Sequence, residues 1–251
     1  MESIDRWTGT LAGPERRILA KNLILSSLSA PDLAAIDPWL EPVILRERML
    51  LQEPKKPVEH IYFIEAGVVS MRVVGAGSFL EVAMVGAGGA IGTSSLLGGL
   101  ISAHQSIVLL PGAALRVHVG DLQRVMSECV GVREHLSQYT EALAVHCAQT
   151  GLCGVRHDLD QRLACWLSLA CDASGRQTLP VTHDYLSDVL GLRRAGVTRA
   201  LLKFEREGII RKMRGLLKIE HGDRLNAKAC RCYRIISSAY KIARQPHFLD
   251  T

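Results

Sequence analysis

The sequence predicts an α+β chain of two domains joined by a long helix: a β-rich domain over residues 1–120, a helical connector over 121–155 and a C-terminal helical domain over 156–251. Three observations carry this. A length of 251 residues exceeds the ~100 to 150 typical of one domain. Near Gly120 the patterning changes from short apolar runs broken by turn signals to a helical period. Charge divides in the same direction, because residues 1–155 hold 12 Lys+Arg against 15 Asp+Glu, whereas residues 156–251 hold 18 against 10.

With 48% hydrophobic and 22% charged residues the chain can bury a sizeable core, which excludes wholesale disorder and fibrous classes. Aromatics are only 5%, so aliphatic side chains must fill that core. The start, Met1-Glu2-Ser3-Ile4-Asp5-Arg6, lacks the basic and apolar regions of an export signal, and a cytoplasmic location is expected. From Val82 to Leu115 there is no Asp, Glu, Lys or Arg, which is long enough to raise the question of a membrane span. Gly86, Gly88, Gly89, Gly92, Gly98, Gly99 and Gly112, with Pro111, would break such a helix repeatedly, so buried strands with tight turns, and no membrane, are expected instead. Seven cysteines, an odd number, read as free thiols of a reducing compartment.

In the first domain, Ile61-Tyr62-Phe63-Ile64 is followed by Glu65-Ala66-Gly67, and Val68 to Val74 by Gly75-Ala76-Gly77. Short strands at that spacing suggest a compact antiparallel roll or barrel. In the connector, Val132, Leu136, Tyr139, Leu143, His146, Thr150 and Cys153 recur at alternating spacings of four and three, a 3.5-residue seam from about Gly131 to Gly154. Such a seam is long enough to pair with a copy of itself, so these seven residues are the expected dimer interface; the alternative is an amphipathic helix lying on its own domain. Leu163, Ala164, Trp166, Leu167 and Leu169 mark a further helix, ending in the turn Asp172-Ala173-Ser174-Gly175.

The most informative stretch runs from Thr182 to Leu225. Thr182 can cap a helix from His183 to Leu190, with Asp184 against the positive end of its dipole and Gly191 as the left-handed stop. A second helix over 194–207 buries Val197, Ala200, Leu201 and Phe204 on one face and projects Arg199, Lys203 and Arg206 from the other, with Arg194 at its start. Two helices joined by a tight glycine turn, the second with a basic outer face, form a helix-turn-helix, whose second helix enters the DNA major groove. Ile209-Ile210 and Leu216 to Ile219, strands around Met213-Arg214-Gly215, add a wing carrying Arg211, Lys212 and Arg214. On charge alone a basic domain of this kind either seeks a polyanion, because Lys and Arg that neutralise phosphates release condensed counterions, or presents a basic, well-solvated surface.

The segment Thr182-His183-Asp184-Tyr185-Leu186-Ser187-Asp188-Val189-Leu190-Gly191-Leu192-Arg193-Arg194, continuing through Val197-Thr198-Arg199-Ala200-Leu201 to Phe204-Glu205 and Gly208-Ile209-Ile210, resembles the winged helix-turn-helix of the cyclic-AMP receptor protein and FNR (CRP/FNR) regulators. Arg162-Leu163-Ala164 with Trp166-Leu167 is similar to that family's preceding helix, and Ile64-Glu65-Ala66-Gly67-Val68-Val69 to its β-roll. The resemblance implies a homodimeric transcription regulator with an N-terminal effector-sensing roll of the cyclic-nucleotide-binding type, a long dimerisation helix and a C-terminal DNA-binding domain. The residues expected at double-stranded, palindromic DNA are Thr182, His183, Arg193, Arg194, Thr198, Arg199, Lys203, Lys212 and Arg214, and RNA polymerase is a further candidate partner.

Two departures matter. Where the family's reading helix often opens with an Arg-Glu pair, Arg194 is followed by Ala195, and Arg193 replaces a Ser that would cap the helix. Guanine reading by arginine can survive this while the acid's contact is lost. Gly196 weakens the same turn by a further ~1 kcal/mol relative to Ala. In the roll, cyclic-nucleotide binders of the family carry Gly-Glu and, about ten residues on, an Arg that clamps the phosphate. Here Gly92 is followed by Thr93, and Ser102-Ala103-His104 covers the Arg position. A pocket of Gly92, Thr93, Ser94, Ser95, His104, Gln105 and Ser106 would offer hydrogen bonds but no fixed cation, so cyclic AMP is not the expected effector, and no cofactor is assigned.

Cys129, His135, His146, Cys147 and Cys153 lie on or near the long helix, and Cys230-Arg231-Cys232 follows the wing. No pair of CxxC motifs occurs and no Cys precedes Cys129, so no metal site is expected and the thiols read as buried structural groups. Arg231 and Arg234 beside Cys230 and Cys232 leave redox sensing open there. No GxSxG, P-loop, HExxH or dinucleotide fingerprint is present, so an enzyme is not expected. The rival to a DNA-binding regulator is a regulatory or ligand-binding scaffold with a degenerate cyclic-nucleotide-binding domain.

Overall fold

The computed structural model describes residues 21–75 and 77–244; the N-terminal segment read against an export signal, and Ala76 of the Gly75-Ala76-Gly77 turn, lie outside them. Helices Leu23–Ser27 (α1) and Ala30–Ile36 (α2) lead into the roll. The side chain of Asn22 caps α1 by accepting from the Ile24 and Leu25 amides, while its Nδ2 donates to the Ile64 and Gly89 carbonyls at 2.9 and 2.8 Å. Every polar atom of this buried amide is thereby satisfied, and α1 is pinned to two strands.

The roll comprises Glu41–Leu45 (β1), Leu50–Gln52 (β2), His60–Gly75 (β3), Ser78–Val85 (β4), Ala90–Ile91 (β5) and Gln105–His118 (β6). The strands pair antiparallel in the order β1-β6-β3-β4, with β2 on β6 and β5 on β3. Register shifts between Ile64 and Val69 bend the long β3–β6 ribbon into a roll. The charge-free run from Val82 to Leu115 becomes the end of β4, β5, a short 3-10 turn at Thr93–Leu97 and most of β6. Among the described residues no helix is long and apolar enough to cross a membrane.

Helix Val119–Glu128 (α3) leads, through a break at Cys129 (φ −113°, ψ 99°), into the 27-residue helix Val130–Arg156 (α4). The expected seam faces inward. Val132, Leu136, Tyr139 and Leu143 share the roll's core with Phe63, Ile91 and Leu122. Tyr139 donates to the Ala90 carbonyl at 3.0 Å, and His146 Nδ1 lies 3.1 Å from the Tyr240 hydroxyl. Cys153 is buried against Cys230, and Thr150 is half-buried on the same side. These seven residues are therefore not a surface offered to a second copy, because their own chain already covers them. A 3.5-residue period reports that a helix face is buried, and the roll satisfies it as well as a partner would. The opposite face exposes Ala144, Ala148, Gly151, Leu152 and Val155, with Leu152 47% and Val155 81% exposed.

The C-terminal region contains Leu159–Ser174 (α5), Thr178–Leu179 (β7), His183–Leu190 (α6), Arg194–Arg206 (α7), Ile210–Met213 (β8), Leu216–Ile219 (β9), Gly222–Lys228 (α8) and Arg231–Ile242 (α9). The small sheet runs β7-β9-β8. Its core, with Leu163, Leu167, Leu186, Val197, Leu201 and Phe204, also takes in Val68, Met84 and Leu110 of the roll. Neither α8 nor α9 follows from the sequence patterning above. Helix α9 returns to pack against α4 and α5, so the chain's last helix joins the long helix to the C-terminal region.

Candidate nucleic-acid interface and its link to the roll

Local chemistry builds the interface. Thr182 Oγ1 accepts from the Tyr185 amide at 3.1 Å and starts α6, and Gly191, at φ 60°, ends it. Helix α7 begins at Arg193 with no side-chain cap, and it buries Val197, Ala200, Leu201 and Phe204. A Cβ on Gly196 would lie 2.6 Å from Leu159 Cδ1, so the glycine that weakens the first turn also lets α7 approach α5 closely.

With about 100° per residue, Ala195, Arg199, Leu202 and Arg206 form the outward midline of α7. All four are exposed. On one edge, exposed Arg194 pairs with Asp184 at 2.8 Å, and Thr198 Oγ1 lies 2.9 Å from His183 Nδ1. Partial burial, then Lys212 and Arg194, hold the His183 imidazole below its ordinary pKa. On the other edge, Lys203 Nζ sits 2.6 Å from Asp160. In the wing, Lys212 is half-buried and bound twice by Glu205, through Nζ at 2.9 Å and the backbone amide at 3.1 Å. Arg214 is exposed beside Gly215 at the wing's turn.

The nine residues expected at DNA therefore divide. Thr182, Arg193, Arg194, Arg199 and Arg214 are exposed and His183 and Thr198 half-buried, whereas Lys203 and Lys212 are each paired with an acid of their own chain. Arg206 and Arg211 are absent from the expected set, yet both are exposed with no ion pair among the described residues. The helical wheel already marks Arg206; the neutralising acids Asp160 and Glu205 need the tertiary structure to be seen.

A buried carboxylate connects this domain to the roll. Glu81 of β4 accepts from Trp166 Nε1 of α5 at 2.6 Å, from the Tyr185 hydroxyl of α6 at 3.2 Å and from the Ser70 hydroxyl, which in turn accepts from Arg72 Nε at 2.9 Å. Burial pushes the Glu81 pKa up, and hydrogen bonds from Ser70 and Trp166, the Arg72 charge and the Tyr185 hydroxyl work against that rise. Glu81 is the last acid before the charge-free run, the only signal in the sequence that distinguishes it.

The seven residues expected to line an effector pocket differ in burial and in their partners. Ser95 Oγ is bound to the Gly92 carbonyl at 2.8 Å and Ser106 Oγ to Gln52 Oε1 at 3.1 Å, while Ser94 is exposed. His104 and Gln105 are half-buried, and burial lowers the His104 pKa. A Cβ on Gly92 would meet the His60 carbonyl, the Gln52 amide and Ile61; Thr93 Oγ1 and Gln52 Nε2 are buried without a hydrogen-bond partner. A cavity of about 350 Å³ lies elsewhere, between the roll and the C-terminal helices, bordered by Gly88, Tyr139, Asp172, Tyr233, Lys241 and Arg244. Tyr233, Lys241 and Arg244 come from α9 and its end, which patterning does not foresee.

Cys153, Cys165, Cys230 and Cys232 are free and buried, in keeping with the expected buried thiols. Cys153 and His157 at the end of α4 meet Cys230 and Cys232 at the start of α9, with Cys165 of α5 in the same buried cluster. No motif spacing announces this, because the two pairs are 77 and 75 residues apart along the chain.

Residues 161–228 match the family model described as the Crp-like helix-turn-helix domain. None of the curated proteins compared with the chain matches it. Among solved structures, FixK2 from Bradyrhizobium japonicum is 18% identical with a TM-score of 0.66, over 76% of this chain and 98% of that one. TTHA1359, a CRP/FNR-family transcriptional regulator from Thermus thermophilus, is 20% identical with a TM-score of 0.59, over 75% of this chain and 98% of that one. CLP of Xanthomonas campestris, described as a c-di-GMP responsive global regulator, is 16% identical with a TM-score of 0.60, over 76% of this chain and 99% of that one. The chain thus carries a Crp-like helix-turn-helix domain over residues 161–228 and has the fold of the CRP/FNR transcription regulators.

Proposed function

We propose that the protein is a homodimeric transcription regulator that reads a palindromic DNA operator through the outward face of α7. The observation that carries this is the exposed midline of Ala195, Arg199, Leu202 and Arg206, flanked by Arg193, Arg194 and the wing's Arg211 and Arg214. Arg199 is placed to read a guanine edge, and the surrounding arginines and the start of α6 meet phosphates. The second copy packs on the Ala144, Ala148, Gly151, Leu152 and Val155 face of α4, where small residues allow close helix approach and Leu152 and Val155 supply apolar surface. Control does not pass through cyclic AMP in the roll; what supports this is that Thr93 follows Gly92 and Ser102-Ala103-His104 covers the position of the family's phosphate-clamping Arg.

Selection of binding sequences from a random duplex pool, followed by anisotropy titration at several salt concentrations, tests the reading. Inverted half-sites centred about one helical turn apart are expected, with affinity falling steeply with salt. Failure to enrich any sequence, with salt-insensitive binding, favours the scaffold reading instead.

A further inference from the structure

Four metal-ligating side chains converge where the long helix meets the C-terminal region. Cys153 and His157 stand four residues apart and thus on one face of the last turn of α4. Cys230 and Cys232 flank Arg231 at the N-terminus of α9. Their ligand atoms all lie within 4.8 Å of one another, with Cys153 Sγ 3.4 Å from Cys230 Sγ and Cys232 Sγ 3.6 Å from His157 Nδ1. A tetrahedral zinc(II) ion with metal–sulfur bonds of ~2.3 Å and metal–nitrogen bonds of ~2.0 Å sets its ligands roughly 3.5 to 3.8 Å apart. The Cys153–Cys230 and Cys232–His157 separations are close to that size and the remaining ones stay within 4.8 Å, too short for four ligands arranged around a four-iron cluster.

We propose that Cys153, His157, Cys230 and Cys232 bind one thiophilic divalent ion, zinc(II) by preference, as a closed structural site that locks α9 to the end of α4. All three cysteines are buried and His157 is half-buried, so four protein ligands fill the coordination sphere and no position is left for substrate chemistry. Binding releases the three thiol protons to solvent and leaves a complex of net charge −1. Arg162, which lines the same small cavity as Cys153, Cys165 and Cys232, places a positive charge beside it. Cys165 is buried in the same cluster, within side-chain hydrogen-bonding contact of Cys153 and Cys230, but lies outside the four-ligand set. The consequence is mechanical. Helix α9 lies beyond the matched residues 161–228, and the ion would fasten this added helix to α4 at the junction with the DNA-binding domain.

The test uses the full chain, purified under reducing conditions without chelator. Elemental analysis should find about one zinc per chain, and reconstitution with cobalt(II) should give the intense visible ligand-field bands and thiolate charge-transfer absorption of a tetrahedral site. Those bands should be lost in Cys230→Ser and Cys232→Ser and kept in Cys165→Ser and Cys129→Ser. Should the serine variants fold poorly, the unsubstituted protein still decides: a strong chelator should lower its melting temperature, and zinc(II) alone should restore it. Reduced, folded protein that takes up neither zinc nor cobalt stoichiometrically overturns the site. So does cobalt binding that survives both serine substitutions, or a Cys153–Cys230 disulfide in protein purified anaerobically.

Discussion

Trp166 Nε1 donates to Glu81 Oε1 at 2.6 Å, a bond that crosses from the helix-turn-helix domain to the roll. Tyr185, two residues into α6, reaches the other oxygen of the same carboxylate at 3.2 Å. The helix-turn-helix domain and the roll therefore share one buried acid, and a shift of β4 would be felt directly at α6.

Removing that acid should uncouple the two. Glu81→Ala leaves the Trp166 indole and the Ser70 hydroxyl buried without an acceptor, at about 1 to 3 kcal/mol per group. Glu81→Gln keeps an acceptor for Trp166, and the Ser70 and Tyr185 oxygens can accept from its amide, so its cost should stay within about 1 kcal/mol. Urea unfolding of the three chains measures both. Because burial raises the Glu81 pKa above its ordinary 4.5, the folded chain holds the proton longer than the unfolded one, and this contribution to stability declines as pH rises from 4.5 through the folded pKa. Glu81→Gln should lack that decline.

On α7 the arginines should be unequal to the lysines. Arg199→Ala is expected to cost about 1 to 3 kcal/mol on the operator and to relax one base position. Arg206→Ala should weaken all sequences alike and reduce the salt slope by about 1. Lys203 is already paired with Asp160, so Lys203→Ala should change the slope less than Arg206→Ala does, and Asp160→Asn should raise affinity for any duplex by releasing the lysine. Equal losses on specific and random DNA for Arg199→Ala would remove it from base reading.

The dimer face is tested by two leucines on opposite sides of α4. Leu152 is 47% exposed and Leu143 is 7% exposed in the roll's core. Leu152→Glu should give folded monomers that lose the effective-concentration gain of bivalent binding, about 100-fold or more. Leu143→Glu should instead destabilise the fold, by about 4 kcal/mol or more, because it buries an unpaired charge. Sedimentation that finds Leu152→Glu dimeric would place the interface elsewhere.

What could be read from the sequence was local. Thr182 and Gly191 mark the ends of α6 through chemistry confined to a few neighbouring residues, and α7 follows within three residues of that stop. The roll's strands are legible for the same reason, since apolar runs and turn glycines alternate along the chain. The periodicity of α4 was legible too, but what covers that face was not, because burial against β5 and burial against another molecule impose the same pattern. Glu81 and Trp166 are 85 residues apart, and the cysteine pairs nearly as far. Nothing in residue spacing encodes those meetings; they follow from how α5 and α9 dock.

The last prediction concerns His146, on the buried face of α4 against Tyr240 of α9. Burial pushes its pKa down to about 4 from an ordinary 6.5, so the imidazole is neutral inside the folded protein. Between those two values the unfolded chain binds a proton that the folded chain does not, and stability must therefore rise with pH across that window and be lost as pH falls through it. The separation corresponds to on the order of 3 kcal/mol present at neutral pH and lost in acid. Glu81 and Asp172, whose pKa values are raised, act in the opposite sense, while His60, His104 and His183, whose pKa values are lowered, add to the His146 slope, so each variant is compared with the wild type by its difference. His146→Gln removes the titrating group while leaving an amide to meet the Tyr240 hydroxyl, and the slope rather than the absolute stability is the readout. Chemical unfolding from pH 4 to 7 should show a flatter acid limb in His146→Gln than in the wild type, and a steeper one in Glu81→Gln, where the opposing contribution of Glu81 is removed. An unchanged acid limb in His146→Gln would mean that the proton enters the fold elsewhere, with the α4–α9 contact insensitive to it.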